Sequence, residues 1–300
     1  MKKISGFTLV RNGSKFDYPF IESLRSILPL VDELVINVGF GDDDTLKRVE
    51  TFASIEGQGK VVIFESHWPL DDPEKKRGGQ ILSEQTNLAL ARCTGEWCIY
   101  LQADEIFHEK EHASIRNAMA KYEKNPEIDG LLFQYVHFYG SFDVIRFSRS
   151  AYRREVRAIK RSSGCVSIGD AQSFRKPNGE KPKVAWSGAN VYHYGWVRPP
   201  EIMKAKTHFM DQLYHGTNSA EAPPQSGDNY RYKKIWGLQP FLGSHPSYML
   251  QRIKDKNWNW DLKASPLEWQ WSDSKKIVLD TIEKLTGVRL FEYKSYRKVR

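Results

Sequence analysis

Along the first hundred residues, short runs of β-branched and apolar side chains alternate with stretches whose apolar residues recur every three to four positions. Four runs predict strands: Ile4 to Val10, Leu34 to Val38, Val61 to Glu65 and Trp97 to Ala103. Between them, Tyr18 to Leu28 carries Phe20, Ile21, Leu24, Ile27 and Leu28 on one helical face. Thr45 to Phe52 predicts a shorter helix, and Ile81 to Ala91 gathers Ile81, Leu82, Leu88 and Ala89 on one side. Such alternation predicts right-handed βαβ units and a mainly parallel sheet with helices on both faces. Ligands of these sheets bind beyond the carboxyl ends of the strands, so chemistry is sought directly after each strand.

Further along, a helix is predicted over Ser114 to Lys124 and a buried strand over Gly130 to Phe138. Residues 152 to 183 are basic and turn-rich, Val191 to Tyr194 predicts a short strand, and a helix follows from Pro200 to Leu213. The pattern weakens over Gly216 to Asp228, where Pro223 and Pro224 mark a loop or linker. Trp236, Trp258, Trp260, Trp269 and Trp271 then precede a helix near Ser274 to Leu285. The organisation expected is a main domain over residues 1–214 and a Trp-rich, partly helical C-terminal extension over 215–300.

Composition narrows the classes. With 40% hydrophobic and 13% aromatic residues the chain is too apolar to be disordered, yet no apolar run approaches the length of a membrane span. Ser5, Gly6, Thr8 and then Arg11 interrupt the N-terminal apolar stretch, which argues against a signal peptide and makes the cytoplasm the default location. Cys93, Cys98 and Cys165 are odd in number and lack metal-ligand spacing, as reduced structural thiols do. The net charge of +8 conceals an asymmetry: residues 1 to 148 hold 17 Lys/Arg against 23 Asp/Glu, and residues 149 to 300 hold 28 against 14. A basic second half suits an anionic partner such as a nucleotide diphosphate, an acidic glycan or lipid, or a phospholipid surface, and is equally the mark of an ordinary solvated face.

The sharpest chemical signal follows the fourth strand, where Trp97-Cys98-Ile99-Tyr100-Leu101-Gln102-Ala103 runs straight into Asp104 and Glu105. Hard divalent cations take oxygen ligands and keep positions open for phosphate, so a carboxylate at the lip of a sheet suits a metal-bound diphosphate. A solvated loop start or helix cap would explain the same residues. Three other segments follow strands or open helices: Val10-Arg11-Asn12, the acidic run Asp42-Asp43-Asp44-Thr45, and Gly78-Gly79 ahead of Asn87. Residues 42 to 45 also suit helix N-capping.

Taken together these segments resemble the GT-A nucleotide-sugar glycosyltransferases, in particular family-two enzymes and those that build lipopolysaccharide core and cell-surface glycans. Gln102-Ala103-Asp104-Glu105 resembles the Asp-x-Asp metal motif of that family. Asp104 matches the position that ligates Mg²⁺ or Mn²⁺, while Gln102 replaces the first Asp. The stretch Asp32 to Thr45 resembles the family's Asp-Glu-Ile-Ile-Val-Val-Asp-x-Gly-Ser-Thr-Asp-Gly-Thr segment; Asp43 and Thr45 match it, Val38 replaces the Asp that meets the base or ribose, and Asn37 beside it is a substitute. Arg11 and Asn12 stand where the family places a basic residue and an Asn beside the nucleotide. Asn87 falls on the Asn of the helix before the metal strand, and Val10, Gln102 and Arg154 complete the expected donor contacts.

The resemblance covers about residues 4 to 200 and implies a GT-A fold, a nucleotide-sugar donor and a glycan or lipid-linked acceptor, with the chain cytoplasmic or peripheral at the inner membrane surface. Inverting members use a carboxylate as base, and Asp170, the only carboxylate between Glu155 and Glu180, is the candidate. His193, in Tyr192-His193-Tyr194-Gly195-Trp196, is a second candidate metal ligand, although a lone histidine is as often a core hydrogen-bonder. Arg153, Arg154, Arg157 and Lys204 are candidate phosphate contacts. A nucleic-acid binder finds no RNA-recognition signature, zinc-finger spacing or basic helix here. A non-catalytic sugar-nucleotide binder remains the alternative, because Gln102 and Val38 depart from the family pattern.

Overall fold

The computed structural model describes residues 2–72, 74, 75, 77–149, 151–215 and 230–299; the expected loop at 216–228 lies outside these. Strand β1 (Ile4–Val10), helix α1 (Phe20–Ile27), β2 (Glu33–Gly39), α2 (Thr45–Ile55), β3 (Val61–Ser66), α3 (Gln80–Leu90) and β4 (Trp97–Tyr100) follow the alternation read from the sequence. They build a parallel block in the order β3-β2-β1-β4, with Phe7 aligned to both Val35 and Tyr100. All seven residues of β1 and of β2 are buried, as central parallel strands covered on both faces must be.

Strand β4 ends at Tyr100 rather than Ala103. The backbone turns there, Glu105 N–H donating to Gln102 O at 3.0 Å, and continues as β5 (Glu105–Phe107). Beyond it come α4 (His112–Tyr122), β6 (Gly130–Tyr139), β7 (Ser141–Arg146), β8 (Arg154–Lys160), β9 (Val166–Ile168), β10 (Ser173–Arg175) and β11 (Lys183–Trp196). This half of the sheet is mixed. Strand β8 lies antiparallel between β4 and β6, β6 turns sharply into β7 at Gly140, and β11 runs parallel to β6 and antiparallel to β5. Helical crossovers enforce parallel pairing only in the first hundred residues; the short connections after β6 permit antiparallel neighbours. The expected short strand at 191–194 is the end of a 14-residue strand that bulges between Trp186 and Asn190 and so escapes a period-two pattern.

Helices cover both faces. Leu24 of α1, Phe52 of α2 and Ile115 of α4 enter one core; Ile81 of α3 and Leu213 of helix α5 (Pro200–His215) enter the other. The last seventy residues add β12 (Leu238–Pro240) on β7, the short α6 (Leu250–Lys254), α7 (Trp271–Thr286) and β13 (Arg297–Lys298) on β11. Three of the tryptophans there serve as hydrogen-bonding struts: Trp258 Nε1 donates to Gly140 O, Trp260 Nε1 to Tyr232 O, and Trp236 Nε1 to Asp280, each at 3.0 to 3.1 Å. No helix among the described residues is long and apolar enough to cross a membrane.

Candidate active site

The turn after β4 separates two adjacent carboxylates. Glu105 points into the sheet, fully buried, where Arg157 grips it through Nε and Nη2, both at 2.8 Å, and the Tyr135 hydroxyl donates at 2.7 Å. Asp104 turns the other way, into a cavity of about 420 Å³ at the carboxyl ends of β1 and β4. The same cavity is lined by Val10, Arg11, Gln102, Asp170 and His193, five more of the residues singled out in the sequence. Helix α5 forms one wall through Lys206, Phe209, Met210, Leu213 and Tyr214.

Three basic groups surround Asp104. Lys206 Nζ stands 3.6 Å from Oδ2, His193 Nε2 stands 3.7 Å from Oδ1, and Arg198 lies close enough to act on the same charge. Burial opposes ionisation of Asp104, but nearby positive charge, from His193 whenever it is protonated and from Lys206 and Arg198, outweighs it and holds the carboxyl below its ordinary pKa. Lys206 pays the opposite way: burial and the Arg198 cation push its ammonium down to about 7, although Asp104 pulls upward. Lys206 also donates to Gly195 O at 2.6 Å. Arg198 is fully buried and donates from Nη1 to Phe16 O at 2.8 Å, while its Nε and Nη2 have no hydrogen-bond partner. Two buried basic groups act on one carboxylate, so an anion entering the cavity beside Lys206 would balance the charge.

The tautomer of His193 follows from its neighbours. His137 Nε2 lies 2.7 Å from Tyr152 O, which can only accept, so this nitrogen carries the proton. Its Nδ1, 2.9 Å from His193 Nδ1, is then the acceptor, and His193 donates from Nδ1. Burial holds both imidazoles toward the neutral form, His137 down to about 3. His193 Nε2 is therefore a bare lone pair beside Asp104 Oδ1. Gly195 keeps the adjacent space open: a Cβ there would stand 2.5 Å from His193 Nε2 and 2.9 Å from Asp104 Oδ2. Ligands bound to one cation at about 2.0 to 2.2 Å sit about 3 to 4 Å apart, so this pair fits a divalent ion. Among the described residues no third His, Cys, Asp or Glu joins the pair, which leaves the remaining positions to a ligand or water.

Asp170 faces the cavity from the loop between β9 and β10. Its Oδ1 accepts from Gln172 N–H at 3.2 Å and its Oδ2 from the Tyr214 hydroxyl at 3.1 Å. Helix α3 holds that loop in place. Asn87 makes two hydrogen bonds to the Ser167 backbone, at 3.0 and 2.8 Å, and Gly79, at φ 72°, touches Asp170 so closely that a Cβ would lie 2.9 Å from its Cα. Thus Asn87 and Gly79 position the Asp170 loop rather than line the cavity. Gly79→Ala must either strain its left-handed backbone or displace Asp170, costing about 1 kcal/mol of stability. We expect the melting temperature to fall by a few degrees, read by circular dichroism.

Other expected site residues are committed elsewhere. Asn37 is fully buried, donating to Gln85 and accepting from Ser66 Oγ at 2.5 Å, so its amide is not presented to the cavity. Asn12, at φ 51°, accepts from Asp42 N–H, and Asp43 accepts from Lys15 N–H and Thr45 N–H. With Thr45 Oγ1 accepting from Gly13 N–H at 2.7 Å, these bonds latch the loop after β1 to the loop after β2. Asp43, not Asp44, thus satisfies the first amide of α2. Arg154 stands over Trp186 at 5.2 Å, outside the cavity; Arg153 pairs with Glu283 at 2.8 Å, and Arg157 with Glu105. The cations at Asp104 are Lys206 and Arg198, neither of them among the residues expected from the sequence, where Lys204 was the candidate on this helix. The signal for Lys206 was present, since it sits at helical spacing within the stripe Met203, Met210 and Leu213, where a lysine has to be buried.

No family model and no curated protein matches this chain. Among solved structures, S. aureus TarS is similar at TM-score 0.39 and 14% identity, over 69% of this chain and 39% of that one. The residue 1–349 form of TarS in complex with UDP aligns at TM-score 0.38 and 11% identity, over 70% and 65%. The mannosyltransferase PcManGT from Pyrobaculum calidifontis, in complex with GDP-Man and Mn²⁺, aligns at TM-score 0.41 and 15% identity, over 71% and 61%. The chain spans less than two thirds of the length of each, and residue roles rest on the geometry above.

Proposed function

We propose that this chain is a metal-dependent, inverting glycosyltransferase of the GT-A kind, moving a sugar from a nucleotide diphosphate to a glycan or lipid-linked acceptor. The observation that carries this reading is the convergence of Asp104, His193 Nε2, Lys206 and Asp170 on one cavity at the carboxyl ends of parallel strands. Its volume of about 420 Å³ is of the size that holds a small ligand. Asp104 and His193 would hold Mg²⁺ or Mn²⁺, the imidazole favouring Mn²⁺, and the ion supplies Lewis-acid neutralisation of the leaving diphosphate. Lys206 and Arg198 supply positive charge beside the same phosphates. Arg11, whose guanidinium lies 5.6 Å from the Phe209 ring, closes the end nearest β2. Asp170 takes the proton of the attacking acceptor hydroxyl, its carboxylate aimed by Tyr214 and Gln172. A cytoplasmic location, peripheral to the inner membrane, accords with this reading.

Asp170→Asn tests the reading. It keeps the shape and removes the base, so transfer should fall by about a hundredfold to ten-thousandfold. The dissociation constant of the donor, measured by calorimetry, should stay within about twofold. Donor binding lost together with transfer contradicts the assignment of Asp170. Sugar-nucleotide binding with no transfer to any acceptor, in wild type and variant alike, identifies a non-catalytic binder, the alternative that Gln102 and Val38 raise.

A further inference from the structure

We propose that the outer face of α7, with the segment that follows it, docks the protein onto an anionic lipid bilayer. Trp271, Val278 and Leu285 recur at intervals of seven, each only about 20° from the last around the helix, and so form one stripe. They are 92%, 58% and 80% exposed, and Phe291, just past the helix, is 88% exposed. Such a row of large apolar side chains in water is unusual at the surface of a soluble domain.

Charge decides what covers it. Every acidic side chain from residue 271 onward is engaged by the protein. Asp280 accepts from Arg149 and Trp236, and Glu283 from Arg149 and Arg153. Asp273 accepts from Gln270 N–H and Lys276, and Glu292 pairs with Arg153 and Arg289. Lys275, Lys284, Lys294, Arg297 and Lys298 remain exposed. An apolar stripe with Lys275 beside it, further exposed basic side chains on the helix flank and in the segment that follows, and no unengaged acid is the pattern of an interfacial helix on anionic lipid. A second copy of this chain meeting the same face across a two-fold axis would set lysines against lysines. The inference itself rests on α7 and not on the transfer chemistry.

Co-sedimentation of the full chain with vesicles tests it, comparing phosphatidylcholine alone with phosphatidylcholine mixed with phosphatidylglycerol. Wild type should bind the mixed vesicles at least about tenfold more tightly than the neutral ones. W271E/L285E should lose at least about tenfold on mixed vesicles, and W271S/L285S should lose binding without adding charge. K275E/K284E should lower binding toward the neutral-vesicle level. The exposed positions leave the melting curve by circular dichroism unchanged, which separates lost docking from lost fold. Equal sedimentation of wild type and W271E/L285E overturns the proposal, as does absence of binding to either vesicle. A lipid-free dimer that W271E/L285E dissociates would assign the face to a second copy instead.

Discussion

Asp104→Ala is expected to lower kcat/KM for sugar transfer by about a thousandfold, the effect of removing one preorganised charge-stabilising group from a water-poor site. The sign of its effect on binding is equally diagnostic. Asp104 is one carboxylate among Lys206, Arg198 and His193. Without it, a nucleoside diphosphate added in the absence of divalent metal meets one carboxylate fewer beside Lys206 and should bind at least as tightly as to wild type. With Mn²⁺ present the order should reverse, because on the proposed function only wild type keeps both side chains that would hold the ion. Calorimetry with and without Mn²⁺ reads both arms. A variant that loses affinity equally in both would show that Asp104 contacts the ligand or holds the fold rather than gripping an ion.

Arg157→Met is expected to cost about 3 to 5 kcal/mol of stability, because it strands the fully buried Glu105 carboxylate without its countercharge. Arg157 also donates from Nη1 to Gln172 O at 2.8 Å. One guanidinium therefore joins the residue after Asp104 to a residue two past Asp170, so activity should fall even where the variant remains folded. The melting temperature should drop by about 10 °C. Pairing the change with Glu105→Gln removes the orphaned charge, and the double variant should be more stable than Arg157→Met alone. Additive losses in thermal melts would contradict a coupled buried pair.

The parallel block was legible because its strands are uniformly apolar and its helices keep a clear period: β1 and α2 begin where the pattern says, and Asp104 stands at the rim where the run ends. Beyond residue 150 the code weakened for definite reasons. Strand β8 reads as a basic stretch because Arg157 is buried against Glu105, a pairing fifty-two residues apart that no local pattern records. Strand β11 is broken by a bulge. At the site, residue type and position after a strand were enough to single out Asp104, His193 and Asp170, which the fold brings to one cavity. The Asn37 and Asn87 amides instead satisfy buried backbone and side-chain groups, and a linear sequence does not distinguish a ligand contact from an internal strut. Lys206 and Arg198 acquire their importance only from having each other and Asp104 as neighbours in space.

In the proposed function a divalent ion between Asp104 and His193 would in turn hold a diphosphate. Calorimetric titration of UDP and GDP into wild type and His193→Ala, each with Mn²⁺ and then with a chelator, tests it most directly. The account predicts that Mn²⁺ tightens binding to wild type by at least about tenfold, and that His193→Ala loses most of this gain while keeping its metal-free affinity. Affinity in wild type that is unmoved by the chelator contradicts it.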